Sequence, residues 1–286
     1  MKVTGCSFVR NAIRYDYPIV EAITSILPIC DEFIVAVGDS DDETLSLIQA
    51  INSPKIRVIE TVWNPDLKKG GEVLADETNK ALKAISADTD WIFYIQGDEV
   101  VHENYLPEIQ KAMVRWKDDS RVEGLLFHYL HFYGSYDYVG NSPRWYYNEI
   151  RIVKNLPEVY SYRDAQGFRI RDNQKLKVKQ INAYVYHYGW VKEPYTMQRK
   201  SNHISTYYLG EENKEEKAFD YSGIDSLARF EGTHPAVMKS RIARKNWTFE
   251  HDLSYSKISF RYRLKRWLQK KTGWAWGEYR NYDLLK

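Results

Sequence analysis

The chain has 286 residues, 43% of them hydrophobic, enough for one large domain or two small ones and too apolar for general disorder. A formal net charge of +2 excludes the chain as a whole from the polyanion binders. No apolar run approaches the ~18 residues a spanning helix needs, and the first strand is too short and polar for a signal peptide. Cys6 and Cys30, without metal-type spacing, read as reduced core residues of a cytosolic protein.

In chain order, residues 2–9 read as a first strand. Residues 17–27 follow with helical spacing at Ile19, Ala22, Ile23 and Ile26, ended by Pro28. Residues 32–37 (EFIVAV) read as a buried strand, and Ser40 with Glu43 fits a capping box that starts a helix through Ile51. Residues 56–61 read as a third strand. Gly70-Gly71 opens a helix with Leu74, Ala81, Leu82 and Ile85 on one face. Strands alternating with helices imply a parallel sheet of right-handed βαβ units.

The run Trp91 to Ile95 is unbroken apolar and aromatic, then gives Gln96, Gly97, Asp98 and Glu99. Such a run reads as a strand buried on both faces. Ligands of open α/β sheets bind at strand carboxyl ends, where two carboxylates beside a glycine suit a hard divalent cation and, through it, a diphosphate. The alternative is a strand followed by a helix capped by Asp98.

Beyond Val100 the spacing predicts a helix over 106–116, strands over 124–132, 149–153 and 177–187, and a helix over 194–209, with no linker that divides the chain. Residues 128–145 are rich in aromatic rings and read either as an acceptor platform for a sugar or as a packed hairpin. Residues 239–271 hold eleven Lys or Arg against Glu250 and Asp252, a local +9 that leaves the rest of the chain at −7. Phe260, Leu264, Trp267 and Leu268 share one helical face there, suited either to an anionic membrane surface or to packing on the domain.

Four motifs in order carry a resemblance: Val9-Arg10-Asn11, the turn from Gly38 to Thr44 (GDSDDET), Asn79-Lys80-Ala81-Leu82, and Gln96-Gly97-Asp98-Glu99. With them the chain resembles family 2-type glycosyltransferases of the GT-A fold, over roughly residues 1–210 and most strongly before 105. The resemblance implies an α/β GT-A-type domain over 1–210, with a nucleotide-sugar-binding half over 1–105 and an acceptor half over 106–210. Residues 211–286 would form a basic, aromatic, mainly helical extension. It further implies a nucleotide-sugar donor, a divalent metal (Mn²⁺ or Mg²⁺), and inversion at the anomeric carbon. The family's metal motif is commonly Asp-x-Asp, and Gln96 stands in its first position, so Asp98 becomes the main acidic ligand.

Through that resemblance Arg10, Asn11, Asp39, Asn79 and Gln96 are nucleotide contacts, and Asp98 with His187, from Tyr186-His187-Tyr188-Gly189-Trp190, is the metal pair. Each has a plainer reading: loop polarity for Arg10 and Asn11, a first-turn acid for Asp39, a hydrogen-bonded core histidine for His187. Asp41 and Asp42 read as solvent-facing acids, and Glu99 as orienting the acceptor or holding a helix N-terminus. The general base must reach the acceptor hydroxyl; its candidates are Asp164, in a glycine-containing loop, and Glu149, which opens a strand and pairs with Arg151.

These readings add up to a glycosyltransferase acting on a glycan or lipid-linked acceptor, cytoplasmic and peripheral at the inner membrane face. A nucleotidyltransferase would bring a Gly-rich basic phosphate loop after the first strand, which residues 6–11 lack. A non-catalytic carbohydrate- or nucleic-acid-binding protein is the other class; the basic aromatic tail permits phosphate contact and base stacking. The acids at two strand ends disfavour nucleic acid.

Overall fold

The chain begins β1 (Val3–Val9), α1 (Ile19–Ile26), β2 (Glu32–Gly38), α2 (Thr44–Gln49), β3 (Ile56–Thr61), α3 (Glu72–Lys83) and β4 (Trp91–Tyr94) in the computed structural model. The structure describes residues 1–142, 144–211, 213–272 and 280–286. The four strands are parallel, in the order β3-β2-β1-β4. The apolar runs of β2 and β4 follow from burial on both faces, because successive side chains alternate across the sheet. Phe33, Val35 and Val37 of β2 join Ile19, Ile23 and Ile26 of α1 on one side. Ile34 and Ala36 join Ala81 of α3 on the other. The three α1 isoleucines are fully buried, and each contributes about 1.5–3 kcal/mol.

After β4 come β5 (Glu99–Val101), α4 (Leu106–Trp116), β6 (Gly124–Tyr133), β7 (Tyr138–Gly140), β8 (Asn148–Lys154), β9 (Val159–Tyr162), β10 (Gly167–Ile170), β11 (Gln174–Lys175), β12 (Lys177–Trp190) and α5 (Pro194–Leu209). β8 runs antiparallel to β4 and β6 antiparallel to β8, extending the sheet. The long β12 lies parallel to β6 and antiparallel to β5, which sets His187 opposite both His131 and Glu99. This register builds the site: it brings the turn after β4 against the carboxyl end of β12.

Three local expectations change. Ser40 and Glu43 form no capping box: the Ser40 hydroxyl donates to Gly38 O at 2.8 Å, and Asp42 Oδ1 instead accepts from Thr44 N at 3.0 Å, at the start of a six-residue helix. Glu99 holds no helix N-terminus, because it opens β5, and Asp98 caps no helix for the same reason. The C-terminal part is less helical than its charge pattern suggests. It supplies β13 (Leu227–Arg229), α6 (Lys239–Ala243), α7 (Phe260–Thr272) and β14 (Asp283–Leu284), with β13 pairing β7 and β14 pairing β12. Tyr221, Ile224, Leu227 and Met238 are buried, so hydrophobic contact seals this segment to the sheet. Arg241 adds an ion pair to Asp16 and a 3.1 Å bond to Glu21 Oε1. On α7, Phe260, Leu264, Trp267 and Leu268 all stay more than 40% exposed. Cys6 and Cys30 are free and buried.

Candidate active site

A cavity of about 380 Å³ opens at the carboxyl ends of β1 and β4 and is roofed by α5. Its floor is the turn Gln96-Gly97-Asp98. Asp98 is 9% exposed. Its Oδ2 accepts from Lys200 Nζ at 3.0 Å, and its Oδ1 lies 3.7 Å from His187 Nε2. Lys200 Nζ also donates to Gly189 O at 3.0 Å. A Cβ at Gly189 would stand 2.6 Å from His187 Nε2 and 2.7 Å from Asp98 Oδ2, so only glycine lets the two side chains share this corner. Burial alone would raise the Asp98 carboxyl, but Lys200, His187 and Lys192 outweigh it and hold the group below the usual carboxylate range. Burial lowers His187 despite Asp98 beside it. Lys192, fully buried with its ammonium over the Tyr17 ring, is brought down to about 7 by burial and then by the Lys200 charge.

Behind this floor stands a buried ion pair. Arg151 Nε and Nη2 donate to the two oxygens of Glu99 at 2.8 and 2.7 Å, and both side chains are fully buried. Tyr129 OH and Gln96 N also donate to the Glu99 carboxylate, at 2.8 and 3.0 Å. Arg151 Nη1 donates to Gln166 O at 2.9 Å. One guanidinium thus ties the acidic turn to the loop that carries Asp164. The pairing of Glu149 with Arg151 expected from sequence is displaced by this bidentate grip, since the guanidinium fork matches one carboxylate at a time.

Asp164 lines the cavity and accepts from Tyr208 OH at 3.1 Å. Its loop is bent through Arg163 and Ala165 at φ 55° and 60°, left-handed conformations that cost non-glycine residues of order 1–3 kcal/mol each. Gly71, at φ 75°, caps α3 beneath it, and a Cβ there would sit 2.6 Å from Asp164 Cβ.

Glu149 does not line this cavity. It is buried, its Oε2 has no hydrogen-bond partner among the described residues, and burial pushes its carboxyl up to about 8 against the pull of Arg151. A protonated acid away from the cavity is not placed as a base. Because the folded state keeps a proton that the unfolded chain releases above its ordinary value of 4.5, this group's stabilisation is complete below 4.5 and is lost as pH rises through about 8. The slope reaches about 1.4 kcal/mol per pH unit. Glu149→Gln should therefore gain stability relative to wild type between pH 5 and pH 8, read from paired thermal melts; parallel profiles would contradict this.

The expected nucleotide contacts divide. Arg10 and Gln96 line the cavity. Arg10 packs over Trp63 at 5.8 Å and donates through Nε to Asp39 O at 2.6 Å, with Nη2 3.5 Å from Asp39 Oδ2, which leaves Asp39 half exposed beside it. Gln96 Nε2 donates to Ala165 O at 3.0 Å. Asn11 and Asn79 lie outside the cavity lining. Asn11, 1% exposed at φ 53°, bonds the β2–α2 loop through Asp41 N at 2.7 Å. Asn79 exchanges two bonds with the Ser161 backbone, at 2.7 and 3.2 Å, latching α3 to β9.

Sequence reasoning missed Lys200, Tyr146 and Trp190 on the cavity wall, whereas His131 and Trp145, also on it, belong to the aromatic stretch 128–145 read as an acceptor platform or a packed hairpin. For α5 a signal existed: Lys200, His203, Ile204, Tyr207 and Tyr208 recur at helical spacing and form one cavity-facing stripe.

A divalent ion finds two protein donors here, Asp98 Oδ1 and His187 Nε2. Among the described residues no three His, Cys, Asp or Glu side chains converge. That set fits Mg²⁺ or Mn²⁺ in the manner of sites completed by substrate phosphates and water.

No family model matches the chain, and no curated protein does. Solved structures similar to it include S. aureus TarS, at 17% identity over 76% of this chain and 41% of that one, TM-score 0.42. Another is 4-diphosphocytidyl-2C-methyl-D-erythritol synthase from Anaerococcus prevotii, at 15% identity over 73% and 96%, TM-score 0.41. A third is glucosyl-3-phosphoglycerate synthase from Mycobacterium tuberculosis with Mn²⁺, uridine diphosphate and phosphoglyceric acid, at 20% identity over 46% and 43%, TM-score 0.32. The chain thus spans less than half the length of the first and third of these. Likeness at such scores carries no argument of its own; the strand order and the carboxyl-end cavity make this chain an α/β protein with a parallel-stranded first half and a cavity at its strand ends.

Proposed function

We propose that this protein transfers a sugar from a nucleotide-diphosphate-sugar to a hydroxyl of a glycan or lipid-linked acceptor, with inversion. The observation that carries the reading is one cavity holding a cationic corner at Asp98, His187 and Lys200 together with a separate carboxylate, Asp164. Residues 1–105 would serve the donor, 106–210 the acceptor, and 211–286 would be the extension.

The acceptor oxygen attacks the anomeric carbon as the bond to the diphosphate breaks, and the nucleoside diphosphate leaves with the electron pair. Asp164 accepts the hydroxyl proton, its carboxylate oriented by Tyr208 OH. Lys200 supplies positive charge beside the leaving diphosphate, and Arg10 over Trp63 stands at the nucleotide end. Asp98 and His187 would hold a divalent metal, which when bound neutralises the leaving group as a Lewis acid. Trp145, Tyr146 and Trp190 offer ring faces to the sugars. Asp164→Asn should lower kcat by 10²–10⁴-fold while nucleoside diphosphate affinity stays near wild type, measured by steady-state transfer and calorimetry. Unchanged kcat would remove Asp164 from the base role.

We further propose a cytoplasmic protein, peripheral on an anionic membrane surface; the exposed apolar residues of the basic α7 support the membrane part of this reading. Among the described residues no helix is long and apolar enough to cross a membrane. Salt-sensitive co-sedimentation with anionic but not neutral vesicles is expected, and its absence would sink the membrane reading alone.

A further inference from the structure

We infer that His131 is a positioning residue for the cation corner: it fixes the tautomer of His187, so that the lone pair of His187 Nε2 faces Asp98 Oδ1. This rests on the metal-assisted reading of the same site.

The hydrogen bonds dictate the assignment. His131 Nε2 lies 2.8 Å from Tyr146 O. A carbonyl only accepts, so that nitrogen carries a proton. His131 Nδ1 lies 3.1 Å from His187 Nδ1, and one of the two must donate. His131 is 3% exposed and no carboxylate hydrogen-bonds its ring among the described residues, so a second proton there would be an uncompensated buried charge. Its Nδ1 is therefore the acceptor and His187 Nδ1 the donor. The remaining nitrogen of a neutral His187, Nε2, is left with a lone pair.

That lone pair meets a carboxylate oxygen 3.7 Å away. A protonated imidazole bonded to this oxygen would sit at about 2.7–2.9 Å. Two acceptors facing each other across such a gap suit a cation between them. Gly189 keeps the gap clear of a side chain, while Lys200 occupies only the other oxygen of Asp98. The His131 ring cannot easily turn: Trp145 stacks on it at 5.0 Å and Tyr146 meets it edge-on at 4.4 Å. The parallel register of β6 and β12 makes His131 and His187 direct neighbours, so the relay is built into the sheet. A hydrogen bond from the far ring nitrogen of a metal-ligating histidine orients the ligand, and its loss typically lowers metal affinity about 10–100-fold.

The test is Mn²⁺ binding, followed by the signal of free Mn²⁺ in paramagnetic resonance, with and without uridine diphosphate. It compares wild type, His131→Phe, His131→Gln and, as control, His187→Ala. Phenylalanine keeps the stacked ring and removes both nitrogens; glutamine restores a donor and an acceptor. Mn²⁺ affinity should fall about 10–100-fold in His131→Phe and largely return in His131→Gln, with circular dichroism reporting the fold of each. If the phenylalanine variant does not fold, His131→Ala takes its place in the comparison. Mn²⁺ affinity in either nitrogen-free variant equal to wild type would overturn the inference, as would failure of glutamine to restore it. If wild type binds uridine diphosphate but no Mn²⁺, the inference falls and the transfer reading stands. If it binds Mn²⁺ in a His131-dependent way but no nucleoside diphosphate or nucleotide-sugar, the inference stands and the transfer reading falls.

Discussion

Arg151→Leu should destabilise the protein by about 3–5 kcal/mol, the cost of leaving a buried charge without its partner. For a domain of this size that amounts to a melting point lower by roughly 2–4 °C per kcal/mol. Glu99 is fully buried and its carboxylate receives two of its four hydrogen bonds from this one guanidinium. Without it the Asp164 loop also loses its bond at Gln166 O, so transfer should fall even where the variant is folded. The double variant Glu99→Gln/Arg151→Met removes both charges and should recover much of the lost stability, as replaced buried pairs often do. Urea denaturation of the three proteins separates the effects. A single variant within 1 kcal/mol of wild type would show that the pair contributes nothing to the fold.

Asp98→Asn should abolish metal-dependent nucleoside diphosphate binding and lower transfer by more than about 10³-fold, a loss of over 4 kcal/mol of transition-state stabilisation. Asparagine keeps the shape and removes the charge. It leaves Lys200, 7% exposed, facing a neutral amide, so stability should drop as well. The wild-type Asp98 carboxyl is held low in the folded state. Its contribution to stability is therefore present above the unfolded value of 3.8 and is lost as pH falls below it. Asp98→Asn/Lys200→Met should regain stability without regaining ligand binding, which separates folding from function. Mn²⁺-dependent stabilisation by a nucleoside diphosphate that survives in Asp98→Asn would contradict the role given to this residue.

The parallel half of the sheet was legible because β2 and β4 are short apolar runs, and a strand buried on both faces has little choice of composition. α4 and α5 were legible from their apolar spacing, α4 with Pro107 in its first turn and α5 with Pro194 at its start. The turn at Gln96–Glu99 was legible as a candidate site, and Gln96, Gly97 and Asp98 line the cavity while Glu99 serves the buried pair with Arg151. What surrounds it was not. Lys200 meets Asp98 across 102 residues and Arg151 meets Glu99 across 52, and no local pattern encodes such partners. Asn11 and Asn79 carried motif resemblance, yet their amides satisfy backbone groups. Glu149 looked like a base because its burial is not written in its neighbours. The strands β5, β7, β9–β11, β13 and β14, each of two to four residues, are set by pairing rather than by their own sequence.

The central claim is sugar transfer from a nucleotide-diphosphate donor, and the direct measurement is release of nucleoside diphosphate from a panel of nucleotide-sugars with Mn²⁺, followed by mass spectrometry for wild type and Asp98→Asn. The account predicts that wild type turns over one donor and releases its nucleoside diphosphate, and that the variant releases none. No release from any donor, together with strong salt-dependent binding of oligonucleotides, would contradict it and leave a binding protein on an α/β scaffold.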